Sequence, residues 1–155
     1  MDPLSATASV AALLVTCGKV ARVALGVCGT YKDAPFTIDS IATECAAVRA
    51  ALDCLQSLLG DDTDSLDVEI SHKFETAILG CTSILSALEE YVIELRKNQD
   101  LSNLDATSRR AKLKLLWHER KIKELLLQLQ GHKSSITMLV NVLQRSVTPH
   151  ISVSG

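Results

Sequence analysis

The chain has 155 residues, 47% of them apolar and 22% charged, only 3% aromatic, with seven glycines, three prolines and a net charge of −2. That is one domain's worth of chain, able to bury roughly two-thirds of its unfolded surface. The apolar, aromatic-poor composition favours an all-α domain over a sandwich or barrel, and nucleic acid is not an expected partner.

From Leu4 to Cys28 almost every residue is apolar or small, Lys19 and Arg22 are the only charges, and Asp2-Pro3 makes a good helix start. Val10, Leu14, Cys17, Ala21, Ala24 and Cys28 fall on one side of this helix, with Ala8, Ala12, Val15, Lys19, Arg22 and Gly26 on the other. A helix apolar nearly all round is either central in its fold or suited to a membrane. It lacks the basic n-region of a secretory signal, and its charges interrupt an ordinary span. The expectation is a central, buried helix at rest.

Gly29, Thr30, Asp33 and Pro35 make the first break. A second helix over Phe36–Leu59 has one apolar stripe: Ile41, Cys45, Val48, Leu52, Leu55 and Leu59. After the acidic GDDTDS, Ser65 can cap a third helix running to Lys97, with Phe74, Ile78, Cys81, Leu85, Leu88, Val92 and Leu95 as its stripe. NQDLSNLDATS breaks the pattern again. Ser108–Arg145 is then a spine about 55 Å long, allowing for a kink at Gly131. Its core positions are Leu115, Trp117, Ile122, Leu126, Leu129, Ile136, Leu139 and Leu143. The expected fold is an all-α antiparallel bundle of four to five helices over 1–147, with one long C-terminal helix and the first helix embedded among the others. Residues 148–155, entered through Pro149, form a tail or a linker to a further C-terminal domain.

Residues 41–100 carry four basic and twelve acidic side chains, and residues 101–155 nine and three. Either the two segments neutralise one another or the basic one meets anionic lipid. The five cysteines are odd in number, lie mostly at apolar helix positions, and read as buried reduced thiols of a cytosolic protein. Cys17-Gly18-Lys19 fails as a phosphate loop because Leu13 stands where the first glycine belongs. The four histidines have no metal-ligand spacing, and the carboxylates Asp61, Asp62 and Asp64 sit in a solvated loop. No catalytic, cofactor-binding or metal site is expected, and the chain does not read as an enzyme.

Three segments, MDPLSATASVAALL, ILGCTSILSALEEYV and KLKLLWHERKIKELLLQLQGHKSSITMLVNVLQ, in this order resemble the fungal HeLo-like domains that open STAND (NOD-like) receptors. The resemblance covers nearly the whole chain. It implies a cell-death or signalling effector, cytoplasmic at rest, which self-associates on activation and targets and permeabilises the plasma membrane through anionic lipids. The membrane-active element it implies is the first helix: Leu4, Val10, Leu13, Leu14, Val15, Lys19, Val20, Arg22, Val23, Leu25 and Val27. Lys19 and Arg22 make that segment less hydrophobic than a dedicated pore helix. The competing class is a non-lytic adaptor bundle that oligomerises or docks a partner helix.

Overall fold

The computed structural model describes residues 3–30, 36–61, 68–101 and 108–147, and the side-chain surroundings of 6–27, 37–59, 68–97 and 118–145. All of these residues are helical: α1 is Pro3–Thr30, α2 Phe36–Asp61, α3 Val68–Leu101 and α4 Ser108–Val147. Ser65 and the 148–155 tail lie outside the described residues, as do the side chains of Leu4, Leu115 and Trp117. The fold is an all-α bundle with one long C-terminal helix; α4 has 40 residues, about 60 Å, and remains helical through Gly131.

The core is built from residues spaced alternately three and four apart. On α2 the buried seam is Ile38, Ile41, Cys45, Val48, Leu52, Leu55 and Leu59, and on α3 Phe74, Ile78, Cys81, Leu85, Leu88, Val92 and Leu95. This 3.5-residue period keeps one apolar line facing a neighbour over many turns, so long helices can pack side by side at a shallow angle. On α4, Ile122, Leu126, Leu129, Ile136 and Leu139 are buried, with Leu143 packed partly buried against them.

On α1 the buried seam is Ala6, Val10, Leu13, Cys17, Val20, Ala24 and Val27, while Leu14 and Ala21 only flank it. The expected face is therefore rotated by about one position at Leu14 and Ala21, and near its end Val27 is buried, the Cys28 side chain lying outside the described residues. Nor is α1 central: among the described residues it packs on α2 and α3 and not on α4. The helices occupy the corners of a square, with α1 diagonal to α4 and α2 diagonal to α3. A corner helix buries one seam and leaves its other side in water.

Contacts between named residues fix the directions. Thr37 donates to Glu119 at 3.1 Å, while Glu44 accepts from Gln130 at 2.9 Å and from Lys133 at 3.0 Å, so α2 and α4 run parallel. Glu94 meets His118 and Gly80 meets His132, so α3 and α4 run antiparallel. Gly18 lies against Arg49, the two being about equally far from the α1–α2 connection, as in an antiparallel hairpin. Successive helices thus alternate in direction, and α1 runs parallel to α3. Each parallel pair is tied by a lysine–glutamate ion pair, Lys19–Glu89 for α1 and α3 and Lys133–Glu44 for α2 and α4. The second of these joins the basic and acidic halves of the chain. Burial pushes the Glu44 carboxyl up, but the hydrogen bonds from Gln130 and Lys133 and the Lys133 charge outweigh it and hold Glu44 below its ordinary value.

Two glycines differ in what they do. A Cβ at Gly80 would collide with the imidazole of His132, so Gly80 lets α3 and α4 close up there. Gly131 is exposed in the interior of α4, and a Cβ there meets nothing within 4 Å. Gly131→Ala should therefore stabilise the protein by about 0.5–1 kcal/mol, through the reduced entropy of the unfolded chain, measured as a higher urea midpoint at unchanged m-value.

Candidate functional site

Helix α1 carries two lines of opposite character. Its buried line consists only of apolar or small side chains. Its outward line exposes Ala8, Ala11, Ala12, Val15, Lys19, Arg22, Leu25 and Gly26. Val15 is 70% exposed and Leu25 54%, as Leu79 on α3 and Leu127 and Met138 on α4 also are to a similar degree. Of the remaining members of the expected membrane-active segment, Val10, Leu13, Val20 and Val27 lie in the core, whereas Leu14 and Val23 are partly buried at its margin. The residues named together from sequence thus divide between two faces. The outward members Val15, Lys19 and Arg22 stand where the spacing places them.

The two charges on this line are held differently. Lys19 Nζ lies 2.7 Å from Oε1 of Glu89 on α3. Arg22 donates from Nε to the carbonyl of Gly18, one turn back on its own helix, at 3.3 Å. Sequence reasoning missed Glu89, because a single glutamate in the run Glu89-Glu90 has no local signal to show that it faces another helix.

Among the described residues two helices are long and apolar enough to cross a membrane by length and composition: Ala6–Val27 of α1 and Val68–Lys97 of α3. The same composition suits a buried core helix. Topology separates the two. Because α1 and α3 run parallel, both could span in their bundle orientation only if α2 crossed back between them, and α2 carries Asp39, Glu44, Arg49 and Asp53. A span by α1 alone would leave residues 31 onward on one side without any return crossing by α2. A place in the core accounts equally well for the span capacity of either helix.

The remaining chemistry is quiet. Burial pushes the Cys17 thiol up to about 11 and the Cys45 and Cys81 thiols to about 12, so all three stay protonated and poorly nucleophilic at neutral pH. Cys54 corrects the expectation of buried thiols: it is free and exposed, on the outer side of α2 between the seam residues Leu52 and Leu55. His118 is buried, edge-on to Tyr91 with ring centroids 5.2 Å apart, and its Nε2 lies 3.6 Å from Glu94. Among the described residues no three His, Cys, Asp or Glu side chains converge as a metal ion requires. A shallow groove between α2 and α4 has Thr37, Glu44, Lys123 and Gln130 among its lining residues. Those polar groups are already engaged, Glu44 with Gln130 and Lys133, Thr37 and Lys123 with Glu119. Comparison with protein-family models, with curated proteins and with solved structures finds no match for this chain.

Proposed function

We propose that the domain is a regulated membrane-active effector of the HeLo-like kind, in which α1 is docked at rest in the cytoplasm and enters the anionic inner face of the plasma membrane once copies are clustered. The observation that carries this reading is the division of α1 into a fully apolar seam and an exposed line with Val15, Leu25, Lys19 and Arg22.

Magnitudes explain why clustering is needed. Exposing Val10, Leu13, Val20 and Val27 to water forfeits about 1.5–3 kcal/mol each, on the order of 10 kcal/mol together, so α1 cannot simply detach into solution. Hydrocarbon is as apolar as the bundle core, so the seam loses little by moving into lipid. Val15 and Leu25 gain by leaving water. Against them, Lys19 and Arg22 each cost about 2.5–3.5 kcal/mol near the middle of a span. A lone helix is therefore marginal. Several helices that turn Lys19 and Arg22 toward a wet interior, with Ala8, Ala12 and Gly26 allowing close approach, avoid most of that cost.

The test is dye release from liposomes containing phosphatidylserine, with the domain fused to an oligomerising module. The expected outcome is release by the clustered protein and little by the monomer. No release by the clustered protein would leave the adaptor reading in its place.

A further inference from the structure

We propose that the Lys19–Glu89 ion pair is a restraining clasp that keeps α1 docked in the bundle, so that Lys19 acts against release rather than in favour of it. The docking half stands on the geometry alone; its consequence for membranes rests on the reading of α1 as the membrane-active helix.

Three observations lead to it. First, the seam of α1 is made of apolar and small side chains, whose attraction is non-directional and is matched by hydrocarbon. Among the described residues the buried polar side chains are Thr37 and His118, and they serve α4: Thr37 of α2 donates to Glu119, and His118 of α4 meets Glu94 and Tyr91 of α3. Second, Lys19 and Glu89 meet at 2.7 Å across a parallel interface, where no short connection holds the two helices together. The pairs Lys73–Glu69, Lys121–Glu124 and Lys123–Glu119 each close within one helix and restrain no packing. Third, the Glu89 side chain is only 19% exposed, while that of Lys19 is 59% exposed. Its attraction for Lys19 is screened less than that of a fully wet pair, and departure of Lys19 leaves a half-sheltered carboxylate without its cation. Lys19 therefore opposes release twice, by losing Glu89 and by carrying its charge toward the bilayer. Arg22, bonded to its own helix, takes its partner along.

Amide hydrogen exchange on the soluble, unclustered protein tests the clasp without any membrane. Lys19→Met and Glu89→Gln should each speed exchange of α1 amides in residues 10–27 about two- to fivefold, the range an ion pair of this kind supports, and leave residues 119–140 of α4 unchanged. The swap Lys19→Glu with Glu89→Lys, which reverses the pair without removing it, should bring α1 back to within about twofold of the wild type. Unchanged α1 exchange in both single variants overturns the proposal. So does an equal rise in all four helices, which would make the pair a contributor to global stability only. In phosphatidylserine liposomes Lys19→Met should also leak without clustering. If α1 exchange rises but neither Lys19→Met nor the clustered wild type leaks, the clasp stands and the membrane function fails. Leakage by the clustered wild type with no exchange response means the reverse.

Discussion

Leu129→Ala should lower folding stability by about 2–5 kcal/mol, whereas Leu127→Ala, two residues away on the same helix, should change it by less than about 0.5 kcal/mol. Leu129 is fully buried on the seam of α4, and Leu127 is 68% exposed. Both are leucines in the run Leu125-Leu126-Leu127, Gln128, Leu129, so composition and helix propensity are matched and only the face differs. Truncating Leu129 removes apolar burial and leaves a cavity that 3.5-periodic neighbours on α2 and α3 cannot collapse into without shifting register. Urea denaturation of both variants measures the contrast. Equal losses would mean that α4 presents a different face to the bundle, and an unchanged m-value would show that the denatured state is not the origin.

The second large effect concerns the outward face of α1. Val15→Glu should fold with a stability within about 0.5 kcal/mol of the wild type, because the side chain is 70% exposed. In the clustered protein it should cut dye release by up to about 100-fold, the limit reached where the carboxylate meets lipid near the centre of a span at about 2.5–3.5 kcal/mol, and by less where it shares a wet interior with Lys19 and Arg22. Val20→Glu is the counterpart: that position is fully buried, and an unpaired carboxylate in the core should unfold the domain outright, seen as loss of the cooperative thermal transition. The pair of variants separates loss of insertion from loss of fold. Leakage that survives in a folded Val15→Glu protein would assign permeabilisation to a surface other than this one.

The amino-acid sequence determined the class, the number of helices and nearly all their limits. Breaks rich in Gly, Pro, Asn and Asp separate apolar runs of helical period, and the expected ends at Phe36, Lys97, Ser108 and Arg145 lie within a few residues of the observed helix ends or on them. It also determined the buried seams of α2 and α3 and the described part of that of α4, because apolar residues recur there at a three-or-four spacing, although Leu79, Leu127 and Met138 are apolar and exposed. For α1 that signal is weak. Leu13 and Leu14 are adjacent and equally apolar, as are Val20 and Ala21 within a methyl group or two, so the seam was chosen by fit against α2 and α3. The exposure of Cys54 likewise follows from its angle on α2, against the usual tendency of cysteine to be buried.

Only the tertiary structure decided which helices touch. Short connections favour sequential neighbours, yet α2 and α3 lie on a diagonal of the described bundle. That arrangement sets α1 beside α3 and α2 beside α4 as parallel pairs, and in doing so brings Lys19 to Glu89 and Lys133 to Glu44. These partners are 70 and 89 residues apart in the chain. Helical periodicity reports which side of a helix a charge is on, but the identity of the opposite charge depends on which helix stands there, and that is settled by packing the four seams together.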